Sequence, residues 1–102
     1  LKPGRVGGPT ESLAIIEQTK EAGLDLWIGG MIEFGISKAH NIALATLEGV
    51  TLPGDFSASN HFWAQDLVTP PLTLCDGQMI VSDVPGIGVT LDEQMLKKYK
   101  AD

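Results

Sequence analysis

Leu24-Asp25-Leu26-Trp27-Ile28-Gly29-Gly30-Met31-Ile32-Glu33 is the stretch that decides how this chain is read. Its first half is short and mostly apolar and runs into two glycines, so Leu24 to Ile28 predicts a strand buried on most sides and closed by a turn. Upstream, Leu13, Ile16 and Ala22 fall near one helical face and Glu17, Lys20 and Glu21 toward the other. That spacing predicts an amphipathic helix, capped by the Thr10 hydroxyl, with Glu11 in its first turn and Gly23 ending it. Before it, Pro3 to Pro9 reads P-G-R-V-G-G-P, a glycine-rich loop. Downstream, residues 35–47 are rich in Ala, Leu and Ile and predict a well-buried helix stopped by Gly49, then a short strand Val50-Thr51-Leu52 ahead of Pro53-Gly54. Loop, helix, strand, loop, helix, strand is the order of parallel α/β proteins.

After Asp55 the pattern changes. Ser57 to Gln65 is polar with aromatic residues, and Thr69-Pro70-Pro71 ends it. Leu72-Thr73-Leu74 and Gln78-Met79-Ile80-Val81 flank Cys75-Asp76-Gly77, where Asp-Gly tolerates positive φ and predicts an antiparallel hairpin. Asp92 predicts the cap of a short closing helix through Leu96 and Tyr99, with Lys97, Lys98 and Lys100 near its negative end.

Composition removes several function classes. The chain has 102 residues, 43% of them hydrophobic, and a formal net charge of -6. Its seven Lys and Arg are scattered, whereas a phosphate-backbone binder needs them clustered, so no nucleic-acid partner is expected. Cys75 is the single cysteine and has no companions at zinc-ligand spacing; it reads as a buried or turn-adjacent bystander. No run of about eighteen apolar residues is present to span a bilayer, and no basic-then-apolar leader opens the chain. The expectation is a soluble, cytoplasmic protein with no membrane partner. Leu1 in place of Met, followed by Lys-Pro-Gly, reads as a segment of something longer.

Leu1-Lys2-Pro3-Gly4-Arg5-Val6-Gly7-Gly8, Trp27-Ile28-Gly29-Gly30-Met31-Ile32-Glu33 and Thr51-Leu52-Pro53-Gly54-Asp55, in that order and spacing, resemble the muconate-lactonizing-like branch of the enolase superfamily. Within that branch the A-H-N-I-A-L-A helix and the later V-T-P-P and P-G-I-G-V look most like o-succinylbenzoate synthases that also racemise N-acylamino acids. One glycine-rich loop is a weak signal, but these motifs in register over nearly the whole chain are a specific one. The resemblance implies an α/β fold, the C-terminal part of a TIM-like (β/α)7β barrel. It would comprise strands six to eight with their helices over residues 1–70, completed by a terminal hairpin and helix over 71–102. Active sites of such barrels lie at the C-terminal ends of the strands. Three carboxylates from the third, fourth and fifth strands hold Mg2+ in the family and a second-strand K-x-K pair supplies one lysine, so the resemblance implies Mg2+ in the parent enzyme and no metal ligand in this chain. The sixth-strand lysine maps onto Lys2. Backbone groups at Gly29, Gly30 and Met31 would approach the acyl part of a small-molecule carboxylate substrate. The parent is expected to be a homo-oligomer, and a bare apolar strand edge predicts that the isolated chain also self-associates.

Removing a proton beside a carboxylate places two negative charges on one carboxyl group, and this superfamily is itself the standard case of a lysine base working with Mg2+ on such an ene-diolate. Two lysines on opposite faces of the α-carbon explain both activities. Abstraction and loss of hydroxide give a syn dehydration; abstraction on one face and return on the other give racemisation. In the dehydration Lys2 would stay cationic and stabilise the intermediate. Local sequence alone makes Lys2 a solvated surface lysine, and the motif around it is what assigns the role. Glu33 reads equally as a favourable first-turn charge or as a carboxylate behind a catalytic lysine. Asp55 could orient a loop or lysine at the barrel mouth, although Pro-Gly-Asp is also ordinary turn chemistry. His40 and His61 lack metal-ligand spacing. Phe56, Phe62 and Trp63 read either as pocket lining or as core cover. A different class stays open, an inactive or binding-only module whose helix start at Gly7-Gly8-Pro9-Thr10 holds an anion.

Overall fold

A computed structural model describes residues 1–101. Its elements in chain order are α1 (Pro3–Val6), α2 (Pro9–Glu21), α3 (Gly35–Leu44), β1 (Val68–Thr69), β2 (Thr90–Leu91) and α4 (Glu93–Tyr99). Contacts divide it into two units, one made of Leu1–Met31 and Asn41–Phe56, the other of Ile32–His40 and the residues from Ser57 onward.

In the first unit the glycine-rich opening is partly helical. Pro3 sits at the first helical position, where its missing N–H costs nothing and its fixed φ suits the turn, so Pro3–Val6 forms α1 where a loop was expected. The cap of α2 is also corrected. Pro9 starts the helix, which makes Gly8 the capping position and leaves Thr10 inside the first turn with no capping role. Gly8 has φ 102, a conformation that a threonine would adopt only under strain. Ser12, fully buried, donates its hydroxyl to the Gly8 carbonyl at 2.7 Å and ties the entry down. The other end follows expectation: Gly23 N–H bonds Lys20 O and Leu24 N–H bonds Thr19 O, both at 3.0 Å, the paired bonds of a Schellman stop.

Residues 24–30 then run extended between two neighbours. On one side Leu1 N donates to Trp27 O at 2.9 Å and Gly29 N to Leu1 O at 2.7 Å. On the other, Thr51 N reaches Leu26 O at 2.9 Å, Asp55 N reaches Ile28 O at 3.0 Å, and Gly30 N reaches Asp55 O at 2.8 Å. One chain giving and receiving from residues two apart on its neighbour is the parallel pattern, and Gly29 and Asp55 form a parallel bridge. The expected burial on most sides is not found. Ile28 is fully buried and Leu26 partly so, while Trp27 is 41% and Leu24 62% exposed. Side chains alternate across an extended segment, which puts Trp27 on the face opposite Leu26 and Ile28; Leu24 shares their face but stands exposed directly after the helix stop. On the Leu26 and Ile28 face, Ile16, Ile28 and Leu44 form the core, with Leu1, Ala45, Val50 and Phe56 packed on it.

α3 ends at Leu44, three residues earlier than expected. Thr46 N bonds Ala43 O and Leu47 N bonds Leu44 O, tighter i to i-3 bonds that carry the chain to the turn at Gly49.

The second unit is organised on one carboxylate. Asp66, 4% exposed, accepts from Gly35 N, Leu67 N and the Ser59 hydroxyl, each at 2.7 Å. It thereby caps the start of α3 from 31 residues away. A Cβ on Gly35 would fall on the Val68 side chain, so only glycine allows this approach. β1 and β2 pair antiparallel, Val68 with Leu91 and Thr69 with Thr90. Asp92 caps α4 as expected, its Oδ1 accepting from Gln94 N and Met95 N at 3.0 Å.

The expected hairpin at Asp76-Gly77 forms its turn but not its strands. Cys75 and Gln78 exchange two hydrogen bonds of 2.8 Å, and the pairing stops there. Leu72 already bonds Ser59 through both its N–H and its carbonyl, and Ile80 is 89% exposed, so no covered face reinforces a longer ladder. Cys75 is turn-adjacent and exposed. Among the described residues no helix is long and apolar enough to cross a membrane.

Candidate active site

Five of the six candidate residues meet in the first unit, at the ends of its three extended segments. Lys2 leaves Leu1 in an extended conformation, φ -119 and ψ 101, immediately before Pro3 starts α1. That places its side chain over Gly29: a Cβ built there would lie 3.0 Å from Lys2 Cε and 3.2 Å from Cγ. The ammonium continues to Met31, with Nζ 3.7 Å from Sδ, a soft and weak acceptor. Gly30 and Asp55 are joined through their backbones. Asp55 is an exposed residue whose main chain holds the Gly29-Gly30 turn in place.

Gly29 is thus the floor on which the lysine lies. Gly29→Ala forces the aliphatic part of Lys2 to move by a few tenths of an ångström against Trp27, whose ring is 3.3 Å from the same point.

Glu33 belongs to the second unit. It is half-buried, and its backbone carbonyl accepts the Trp63 indole N–H at 3.1 Å. The three aromatic residues named from sequence have separate uses. Phe56 packs on the first unit's core, Trp63 stacks on Phe34 with centroids 4.3 Å apart, and Phe62 lies edge-on to His61 at 4.5 Å. Among the described residues no three His, Cys, Asp or Glu side chains converge as a metal site. The described residues do not make a donor set for Mg2+.

Sequence reasoning did not single out Lys38. It is 2% exposed, donates to Ala58 O at 3.2 Å, and has its Nζ 5.7 Å from the centre of the Phe62 ring. Burial lowers its pKa from the ordinary value of 10.5, while the Asp66 and Glu33 charges pull it back up. In the window between its folded pKa and 10.5 the unfolded chain binds more protons than the folded one, so stability rises with pH there. The contribution is present above 10.5 and is lost as pH falls through the folded value. Wild type should therefore gain stability relative to Lys38→Met as pH is raised from neutrality to 10.5, a difference read from paired denaturation curves. Wild-type stability that falls relative to Lys38→Met over that range contradicts the assignment. In the sequence Lys38 is a lone cation in a largely apolar helix, five residues past Glu33, a spacing that makes no helical side-chain pair and gave no signal of its burial.

Comparison with known proteins bears on the same surfaces. Residues 1–95 match the family model described as enolase C-terminal domain-like. The chain is 46% identical over 99 residues to the o-succinylbenzoate synthase of Bacillus subtilis, covering 97% of this chain and 27% of that protein. It is 47% identical over 91 residues to the N-succinylamino acid racemase of Thermus thermophilus, covering 89% and 25%. An enolase-superfamily structure from Listeria innocua superposes with a TM-score of 0.94 at 48% identity, over all of this chain and 28% of that one. A muconate lactonizing enzyme from Klebsiella pneumoniae gives 0.85 at 29% identity, over 95% and 27%. The chain spans about a quarter of the length of the relatives it matches.

Proposed function

The chain belongs to the enolase C-terminal domain-like family, and on that premise we propose that it is the C-terminal part of an o-succinylbenzoate synthase. The reaction is the syn dehydration of 2-succinyl-6-hydroxy-2,4-cyclohexadiene-1-carboxylate on the route to menaquinone. In this reading residues 1–70 supply strands six to eight of the barrel, and the remainder completes the family fold. Mg2+ would be held by the part of the protein that this chain lacks, and would supply charge stabilisation for the ene-diolate.

The observation that carries the reading is the placement of Lys2. Its ammonium projects past a glycine floor to a thioether, at the end of three parallel extended segments where barrel enzymes keep their chemistry. There Nζ faces the substrate α-carbon, and as a cation it stabilises the charge that develops when the proton leaves from the other side. Gly29, Gly30 and Met31 would present backbone groups to the succinyl part. Glu33 and Asp55 would act from behind, Asp55 by holding the turn. Racemisation of N-acylamino acids is the second reading, favoured by the similarity to the Thermus thermophilus racemase. In it the same Nζ takes or returns the α-proton on one face. Assay of the full-length protein on both substrates decides between them. Absence of both activities in a folded, Mg2+-supplied protein overturns the proposal. A full-length homo-oligomer is part of the same reading.

The 102-residue chain by itself should show no dehydration or racemisation even with excess Mg2+, because one proton carrier and the metal carboxylates lie outside it. Turnover by the isolated chain that Lys2→Ala abolishes would contradict this.

A further inference from the structure

The chain has three methionines, and Met31 is the exposed one: it is 41% exposed, while Met79 and Met95 are half-buried. Oxidation follows access to the sulfur, so Met31 is the one a solvent-borne oxidant meets first. Its thioether also has a defined neighbour. The Lys2 stem lies over Gly29 beside the Trp27 ring, and this path ends with Nζ 3.7 Å from Met31 Sδ. All of these residues lie within Leu1–Met31 of the first unit. A thioether sulfur is a weak acceptor, so the contact holds the ammonium loosely. A sulfoxide oxygen carries concentrated negative charge, and a charge-assisted N–H···O bond of about 2.7–2.9 Å is roughly twice as strong as a neutral one. An oxygen placed on a sulfur already 3.7 Å from Nζ reaches the ammonium without lifting the lysine stem off Gly29.

We propose that Met31 is a site of reversible oxidation by peroxides and that its sulfoxide captures the Lys2 ammonium. The sulfur attacks one oxygen of hydrogen peroxide, an S–O bond forms and the O–O bond breaks. The departing hydroxide takes the proton from the oxygen now on sulfur and leaves as water; sulfur has given up two electrons and the peroxide has gained them. Methionine sulfoxide reductases return the thioether, one enzyme for each epimer. Between the two states Lys2 passes from a loosely held side chain to one tied down as a cation, because a hydrogen bond made by the charged form favours that form. The effect on turnover rests on the functional reading above; the oxidation and the capture do not.

Graded hydrogen peroxide on the full-length protein, followed by peptide mass spectrometry, should add one oxygen to Met31 before Met79 or Met95. Acetylation of Lys2 by acetic anhydride, read in the same digests against the exposed Lys97, should then slow about tenfold and recover when the two reductases remove the oxygen. In Met31→Leu, peroxide should leave Lys2 acetylation at that variant's own untreated rate. Racemisation of an N-succinylamino acid, which needs Lys2 without its proton, should fall about tenfold with the same dose dependence and recover with it. Oxidation of Met79 or Met95 ahead of Met31, or Lys2 acetylation unchanged once Met31 is oxidised, overturns the proposal. If the wild-type protein turns over neither substrate, the functional reading fails, and the acetylation arm still decides the capture. Should Met31→Leu fail to fold, reversal by the reductases in the wild type decides alone.

Discussion

On the proposed reading, Lys2→Arg in the full-length protein is expected to lower racemisation by about 100- to 10,000-fold, the usual worth of a positioned acid or base. A guanidinium stays protonated at any pH the protein survives, so it has no lone pair with which to take the α-proton. Geometry works against it too. The lysine stem runs over Gly29 so closely that a Cβ there would be 3.0 Å from Cε, and a planar five-donor head does not follow that path to Met31. Dehydration asks Lys2 only for a positive charge, so the arginine variant should retain more of it than of racemisation. Exchange of the substrate α-proton with deuterated solvent, followed on each face, reads the difference directly. Near wild-type exchange by the arginine variant would remove Lys2 from proton transfer, whichever substrate proves physiological.

What was legible in the sequence is what local backbone chemistry decides. The Gly23 stop, the Asp92 cap and the Asp76-Gly77 turn each depend on atoms within about five residues, and each is where the sequence puts it. Pro9 is an instructive miss at the same scale. Thr10 has the better capping side chain, but proline at the first helical position starts the helix two residues sooner and leaves the cap to Gly8. The larger omissions are contacts between distant residues. Nothing near Asp66 says that its carboxylate meets Gly35, and Val68-Thr69 is too short to announce a strand that pairs with Thr90-Leu91. The hairpin flanks failed for the opposite reason: the apolar residues and the turn are present, but Leu72 is engaged by Ser59 and Ile80 has nothing to cover it. At the site, the motif around Lys2 drew together residues that the fold brings within reach of one another, whereas Glu33 and the aromatic residues near it are tied into the second unit.

Asp66→Ala should be the most destabilising single change in the second unit. Three donors converge on that carboxylate at 2.7 Å, from the first residue of α3, from Leu67 at the edge of β1, and from Ser59, which passes the connection on to Leu72 at 2.9 Å. All of it is buried, with Ser59 3% and Asp66 4% exposed, so alanine leaves two backbone N–H groups and a hydroxyl with neither partner nor water. One such orphan costs about 1–3 kcal/mol and the three share one site, so a loss of about 3–5 kcal/mol is expected, a large part of a domain's usual stability. Lys38 adds to it, because the carboxylate is among the charges that keep its buried ammonium charged. Asp66→Asn should lose less. Its carbonyl can still accept from Gly35 N and Leu67 N, and only the Ser59 hydroxyl has to find another acceptor. Urea denaturation of the full-length protein, read by hydrogen exchange at the amides of Gly35 and Leu67, tests the order wild type, Asn, Ala. An alanine variant within about 0.5 kcal/mol of wild type would mean that α3 finds its cap elsewhere and that Asp66 does not organise the unit.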